Sequence, residues 1–121
     1  AYMGRWSRKL APHFLDWLAA PEDRDWLDIG CGTGALSAAI LAQYKPTSLL
    51  AIPKLRYEEQ ADITDQRAVF RVGDAQAVEV ETDSRDIVVS ALVLNFVPDR
   101  RRALAEMKRI VRPGGTIGFY V

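Results

Sequence analysis

Trp26-Leu-Asp-Ile-Gly-Cys-Gly-Thr-Gly34 decides the fold of this chain, because an apolar strand ends there and breaks into a glycine turn. A helical pattern, Ala35-Leu-Ser-Ala-Ala-Ile-Leu-Ala42, follows at once. Glycines at 30, 32 and 34 let backbone amides approach a ligand closely, since a positive φ carries no side-chain penalty there. The start of the following helix adds free N–H groups and the positive end of its dipole. Strand, turn and helix in this order predict a cradle for a nucleotide-like ligand.

Strand and helix patterns alternate along the rest of the chain. Ser7 to Ala20 is predicted to be helical, because its apolar residues form one stripe: Leu10, Phe14, Leu15 and Leu18. Pro12 is expected to begin a second helical piece. The other predicted helices are about Gly34–Lys45 and Arg100–Val111, with a weakly helical Lys54–Ile63 and a break at Pro113-Gly-Gly115. The predicted strands are Trp26–Ile29, Ser48–Ile52, Ala68–Val72, Asp86–Leu92 and Thr116–Val121.

This alternation predicts an α/β fold with a doubly wound parallel sheet and helices on both faces. Right-handed crossovers would place the first glycine turn at the topological switch point of the sheet. The length of 121 residues fits one domain. We therefore expect a single domain over 1–121, with a helical segment at 1–20 and the core at 26–121.

Composition and charge exclude several classes of function. Lys and Arg number 16, as do Asp and Glu, so no net field favours nucleic acid or an anionic membrane. The one cysteine, Cys31, rules out an internal disulfide framework and a zinc cluster. No apolar run approaches the roughly 20 residues that span a bilayer, and we expect no basic and apolar leader before the domain. We expect a cytoplasmic protein without nucleic-acid or membrane partners.

Two ligands fit the glycine turn. Gly30-x-Gly32-x-x-Ala35 matches the dinucleotide fingerprint, which leaves an NAD-binding oxidoreductase as an alternative. Asp28, however, would repel a pyrophosphate and can pair with an ammonium group. The alternate glycines leave room for a compact amino-acid moiety, and Asp74 is placed to accept from an adenine amino group. These features favour a nucleoside that carries an amino acid.

Four motifs in register resemble those of class I S-adenosylmethionine-dependent methyltransferases, methyltransferase type 11. The similarity is to the small-molecule branch that includes the ubiquinone/menaquinone biosynthesis methyltransferases. The motifs are Leu27-Asp-Ile-Gly-Cys-Gly-Thr-Gly34, Val72-Gly-Asp-Ala75, Asp86-Ile-Val-Val-Ser90 and Val111-Arg-Pro-Gly-Gly115. The resemblance implies a three-layer Rossmann-like fold with five strands in order 3-2-1-4-5, S-adenosylmethionine as cofactor and a small-molecule acceptor.

The resemblance also implies roles for individual residues. Gly30, Cys31 and Gly32 would pass under the methionine part of the cofactor, and Asp28 would help to hold its ammonium group. Asp74 and Ala75 would contact the adenine edge, and Ser90 would lie beside the sulfonium. The implied cofactor-binding set is Asp28, Gly30, Cys31, Gly32, Gly34, Ile52, Asp74, Ala75 and Ser90. Leu92 to Phe96 would face the acceptor, and no catalytic base is indicated. Ser90-Ala-Leu-Val93 lacks the Asn/Asp-Pro-Pro-aromatic motif of enzymes that methylate base amino groups, which argues against a nucleic-acid substrate.

The sequence departs from the family pattern in two places. Strand two of the family ends in Asp or Glu, which binds the ribose hydroxyls, whereas this position holds Pro53. The family's last two strands are also expected to be missing, which would leave strand five as an exposed edge. The alternative function is therefore a non-catalytic, truncated domain that binds cofactor weakly and forms a homodimer through this edge.

Overall fold

The computed structural model describes residues 2–30, 34–53, 63–91 and 98–120, and for residues 2–9, 91 and 120 the backbone alone. Strands and helices alternate along these residues, as the sequence predicts. The helices are α1 (Tyr2–Leu18), α2 (Ala35–Gln43) and α3 (Arg100–Ile110). The strands are β1 (Asp25–Ile29), β2 (Ser48–Ile52), β3 (Ala68–Phe70), β4 (Arg85–Ala91) and β5 (Val111–Tyr120).

The five strands form one parallel sheet in the order β3-β2-β1-β4-β5. Trp26 of β1 lies opposite Leu49 of β2 and Ile87 of β4, so the central strands run in close register. Near-continuous apolar runs are typical of strands that are buried on both faces. The α/β class, the doubly wound architecture and the strand order are confirmed. The extent of the domain, 1–121, stays a prediction.

Each face of the sheet has its own hydrophobic core, because successive side chains of a strand point to opposite faces. One core lies on the face that α1 and α2 cover, and contains Ala11, Phe14, Leu15, Trp26, Leu36, Ile40, Leu49, Ile87 and Val89. The other lies on the face that α3 covers, and contains Leu27, Ile29, Leu50, Ile52, Val78, Val88, Met107 and Ile110. The sheet with a helical layer on each face gives the predicted three layers.

Helix α1 differs from its prediction, because it runs without a break through Pro12. Ala11 and Leu15, one turn apart on either side of the proline, are both fully buried. Their packing holds the helix together across the hydrogen bond that proline cannot donate. Leu10 was predicted to lie in the apolar stripe but is 39% exposed, and Ala11 takes the buried position instead.

Strand β5 also begins earlier than predicted, directly after α3 at Val111. Pro113-Gly-Gly115 therefore lies inside the strand, where the pairing with β4 shifts between Arg85 and Ile87. A Cβ at Gly115 would lie 2.4 Å from the Asp86 carbonyl oxygen, so only glycine fits this crossing of the two backbones. Strand β3 is shorter than predicted and ends at Phe70. The predicted Lys54–Ile63 segment lies outside the described residues except for its last residue.

Candidate cofactor site

The carboxyl ends of β1 and β2 meet at the start of the glycine turn. The Gly30 N–H donates a 2.7 Å hydrogen bond to the Ile52 carbonyl oxygen, and Gly30 has a φ of 68°. Gly34 has a φ of 94° and precedes α2, where its carbonyl accepts a 2.8 Å bond from the Ala38 N–H. Gly30 and Gly34 thus have backbone angles in the left-handed region, which residues with a side chain disfavour. Gly34 directly precedes α2, whose first N–H groups have no partner within the helix itself.

Asp28, two residues before the turn, is fully buried on the α2 side of the sheet. Its Oδ2 accepts a 2.6 Å hydrogen bond from the Ser37 hydroxyl, which is also fully buried. Within the described part of the chain, Oδ1 has no hydrogen-bond partner. Burial raises the pKa of Asp28 to about 7, and the Ser37 hydrogen bond opposes this shift. A buried carboxylate oxygen left unsatisfied costs free energy, so this atom is suited to a ligand that donates hydrogen bonds.

Ser90 lies at the carboxyl end of β4, opposite Phe119 of β5. The residue is 1% exposed, and its hydroxyl has no partner among the described residues. Because Val89 contacts the α1/α2 core, Ser90 points to the α3 face, away from Asp28. The Asp28 carboxylate and the Ser90 hydroxyl therefore both lie near the carboxyl ends of the strands, but on opposite faces of the sheet.

The end of β2 carries no acidic group. Ile52 is 3% exposed and packs in the core of the α3 face. Pro53, which follows it, is buried, and its carbonyl oxygen accepts a 3.0 Å hydrogen bond from the Gly73 N–H. A Cβ at Gly73 would lie 2.8 Å from Cγ2 of Ile52, so the chain after β3 passes close to the end of β2. A proline side chain here accepts no hydrogen bond from a ribose.

Asp74 lies in a turn after β3 and is exposed. Its Oδ1 accepts a 2.8 Å bond from the Gln76 N–H, and its carbonyl accepts a 3.1 Å bond from Ala77. Ala75 is half-buried and packs against the α3-face core. One carboxylate oxygen of Asp74 is thus used within its own turn.

Helix α3 holds the segment that follows this turn through two side chains that the sequence alone does not single out. Glu106 accepts a 2.8 Å bond from the Val78 N–H, and Arg109 donates to the Val78 and Val80 carbonyls at 2.9 and 2.8 Å. Arg109 also pairs with Glu106 at 2.9 Å. The bond to Arg109 lowers the pKa of Glu106. The sequence does show a Glu and an Arg three residues apart, which can form an ion pair on one helix face. Their contact with residues 78–80, however, depends on the tertiary fold.

Three predicted parts of the site lie outside the described residues: Cys31, Gly32 and the segment Leu92 to Phe96. Ser37, which is not among the predicted site residues, is added to the candidate site because it donates a hydrogen bond to Asp28. The described ranges contain no group of three His, Cys, Asp or Glu side chains placed to hold a metal ion. Nor do those ranges contain a helix long and apolar enough to cross a membrane.

The described residues fit the methionine end of a sulfonium nucleoside. At the end of β2, however, they offer no carboxylate to its ribose. Asp28 offers an ammonium group a buried oxygen that has no hydrogen-bond partner among the described residues, beside two glycines with positive φ. Ammonium groups are donors only, and a charged donor makes a stronger bond to a carboxylate than a neutral one does. Pro53 supplies no matching carboxylate for the ribose hydroxyls.

Comparison with known proteins identifies the family of the chain. Residues 27–119, more than half of the chain, match the family model for a methyltransferase domain. The demethylmenaquinone methyltransferase of Roseiflexus castenholzii is 38% identical over 96 residues, which covers 75% of this chain and 40% of that relative.

Solved structures show the same fold. A methyltransferase in complex with the Trm112 methyltransferase activator, from Haloferax volcanii, has a TM-score of 0.85 and 25% identity, over 95% of this chain and 52% of that one. An S-adenosylmethionine-dependent methyltransferase of Methanococcus maripaludis has a TM-score of 0.74 and 25% identity, over 93% and 55% of the two chains. The chain thus spans about half the length or less of these relatives. By its sequence and its fold, it belongs to the class I S-adenosylmethionine-dependent methyltransferase family.

Proposed function

We propose that this protein transfers a methyl group from S-adenosylmethionine to a small-molecule acceptor. The observation that carries the proposal is the buried Asp28 carboxylate, whose Oδ1 is unpaired among the described residues, directly before a glycine turn with positive φ. This arrangement suits a ligand with a cationic amino group and disfavours a pyrophosphate. When bound, S-adenosylmethionine supplies a methyl group that its sulfonium activates.

We assign the binding residues by position. Asp28 would accept from the ammonium group, while Gly30, Cys31, Gly32 and Gly34 would let the backbone approach the methionine part. In the same way, Asp74 and Ala75 would contact the adenine, and Ser90 would face the reacting end. Ile52 would form an apolar wall at the end of β2. The protein's own contribution to rate would be alignment of the acceptor with the methyl group, which is a large effect in enzymes.

A small-molecule acceptor is supported by charge and by similarity. The equal numbers of acidic and basic residues give no field for nucleic acid, and the Roseiflexus relative is named for demethylmenaquinone. We also propose that the enzyme acts in the cytoplasm, where a reducing environment suits a chain with one cysteine.

Weakened cofactor binding is part of the proposal, because Pro53 stands where the family has a carboxylate. Loss of a pair of hydrogen bonds to a charged group costs on the order of 2–4 kcal/mol. That corresponds to a dissociation constant roughly thirty- to thousand-fold higher.

Calorimetric titration with S-adenosylhomocysteine and with NAD tests the ligand class. We expect binding of S-adenosylhomocysteine and none of NAD, and a preference for NAD would overturn the proposal. Gly30→Val is expected to abolish binding, because valine is strained at a φ of 68°. Gly114→Val is the matched control, since Gly114 has a φ of 82° with open space around its Cβ position. It carries the same kind of strain outside the proposed site.

A second candidate is a non-catalytic domain that self-associates. It is favoured by β5, a ten-residue strand at the edge of the described sheet, whose Phe119 is 41% exposed. An exposed edge strand presents unpaired backbone groups to another chain. Light scattering coupled to size exclusion would detect a dimer, and Phe119→Lys should dissociate it. A dimer that fails to bind S-adenosylhomocysteine would favour this candidate over the enzyme.

A further inference from the structure

Ser37 provides the hydrogen bond that orients Asp28. The hydroxyl lies in the first turn of α2, is fully buried, and donates to Oδ2 of Asp28 at 2.6 Å. A hydroxyl has one proton to donate, so it satisfies one carboxylate oxygen and leaves the other. Oδ1 is that other oxygen, and it has no partner among the described residues.

Within the described residues, no charged side chain helps to keep Asp28 ionised. Helix α2 and strand β2 contain no charged residue, and the titratable residues of α1 with described side chains, His13 and Asp16, are exposed. The charged residues of β1 and β4, Asp25, Arg85 and Asp86, lie at the amino ends of these strands, away from the turn. Cys31, the titratable residue of the turn itself, lies outside the described residues. Desolvation raises the pKa of Asp28, and the Ser37 hydrogen bond is the opposing influence.

We propose that Ser37 is a positioning residue for the cofactor: it fixes Asp28 by Oδ2 so that Oδ1 can accept from the cofactor's ammonium group, and it thereby sets the pH range of cofactor binding. The inference rests on the proposed function, because it assigns Oδ1 to that ligand. Protonation of Asp28 replaces an acceptor with a neutral acid, so cofactor affinity rises with pH until the carboxyl group is ionised.

A purely structural role for Ser37 predicts something different. Ser48 donates a 2.7 Å hydrogen bond to Oδ1 of Asp25 at the opposite end of the same sheet. That pair is only part-buried and far from the glycine turn in the fold. If serine–aspartate bonds merely stabilise the sheet, removal of either hydroxyl should lower stability and leave the pH dependence of binding unchanged.

The experiment compares wild type, Ser37→Ala, Ser37→Thr and the control Ser48→Ala. Alanine favours helices, so Ser37→Ala is compatible with α2, and thermal unfolding checks the fold of each variant. Affinity for S-adenosylhomocysteine is measured by calorimetry between pH 5.5 and 9. The Asp28 carboxyl carbon is followed by NMR over the same range in the ligand-free protein.

We expect Ser37→Ala to move the midpoint of the affinity profile up by about one pH unit, since it loses a hydrogen bond to the charged form. Its affinity should be about fivefold below wild type at pH 7, and the difference should narrow as the pH rises to 9, where the remaining difference reflects the lost orientation of Asp28. The NMR midpoint should move by the same amount. Ser37→Thr, which keeps the hydroxyl, should restore both midpoints, and Ser48→Ala should match wild type.

Two failures are distinguishable. If wild type binds S-adenosylhomocysteine and folded Ser37→Ala has the same affinity and pH profile, the positioning role is wrong while the proposed function stands. If no protein in the series binds this ligand at any pH, the proposed function is wrong, and the assignment of Oδ1 to an ammonium group is wrong with it.

Discussion

The Pro53 carbonyl oxygen accepts a 3.0 Å hydrogen bond from the Gly73 N–H, and this bond ties the end of β2 to the segment after β3. The bond uses the backbone of Pro53, not its ring, so other residues can make it. The proline can therefore be replaced without loss of this connection. What the ring cannot do is accept a hydrogen bond from a ligand.

Pro53→Asp is expected to strengthen binding of S-adenosylhomocysteine, because the new carboxylate would accept from the ribose hydroxyls. We expect a gain of at least about 1.4 kcal/mol, which is tenfold in the dissociation constant measured by calorimetry. Pro53→Asn is the matched control, because asparagine has the shape of aspartate without its charge. It should increase the affinity less than Pro53→Asp does. Equal affinity in all three proteins would mean that position 53 does not contact the ribose.

Asp28→Asn should change stability and binding in opposite directions. The pKa of Asp28 is about 7 in the folded protein and lies near 3.8 when the chain is unfolded. Because the folded pKa is raised, ionisation destabilises the fold as pH rises from about 4 to 7, and the penalty is constant above 7. We therefore expect Asp28→Asn to be more stable than wild type by roughly 2–4 kcal/mol at pH 8, with a small difference below pH 4.

The same variant should bind S-adenosylhomocysteine more weakly, since a neutral amide makes a weaker bond to an ammonium group. Urea denaturation at pH 4 and pH 8, with calorimetric titration at pH 8, measures both effects. A variant that is less stable than wild type at pH 8 would show that Asp28 is compensated by contacts other than Ser37.

The strands that the sequence predicts best are those buried on both faces. The predicted bounds of β2, Ser48–Ile52, agree with the structure because two prolines flank an apolar run, and the prediction for β1 differs by one residue. The order of the strands follows from alternation and the family resemblance. The prediction fails where the first or last residue of a strand depends on contact with the backbone of a neighbouring strand. Pro113-Gly-Gly115 resembles a helix stop but lies in β5, where a Cβ added at position 115 would lie 2.4 Å from the Asp86 carbonyl oxygen, so that only glycine fits.

The site is predictable where the glycine turn marks it and not where the tertiary fold builds it. Asp28 follows from its place at the end of a strand. Ser37 has no comparable signal, because one serine among the apolar residues of α2 is common, and its bond to Asp28 depends on how α2 crosses β1. Likewise, Glu106 and Arg109 are ordinary surface residues until the fold brings residues 78–80 beside them. Such contacts join distant parts of the chain, so a local sequence pattern cannot predict them.

Arg109→Ala should loosen the segment that follows Asp74. Arg109 donates to the carbonyls of Val78 and Val80 and pairs with Glu106, so its removal leaves several acceptors unpaired at once. We expect a loss of about 1–3 kcal/mol in the free energy of unfolding. We also expect weaker binding of S-adenosylhomocysteine without any direct contact to it.

Arg101→Ala is the control for Arg109→Ala, since Arg101 is an exposed arginine of the same helix and should cost less than about 0.5 kcal/mol. Urea denaturation at pH 7 compares the two variants. The interaction also predicts acid sensitivity: the lowered pKa of Glu106 means that its contribution is present above the ordinary pKa of 4.5 and is lost as pH falls. Equal stability of the two variants would contradict a role for Arg109 in holding the segment.

Gly118→Ala tests how α1 packs on the edge of the sheet. A Cβ at Gly118 would lie 2.6 Å from Cδ1 of Leu18 and 3.1 Å from Cζ of Phe14. The first distance is shorter than side chains tolerate, so Leu18 must move, and we expect a loss of about 1–2 kcal/mol in the free energy of unfolding. Leu18→Ala removes the clashing atom and has its own cost from the lost apolar contact. The double variant should therefore be more stable than the sum of the two single losses predicts, with a coupling of at least about 0.5 kcal/mol by urea denaturation. Simple additivity would mean that α1 is not seated on Gly118 through Leu18.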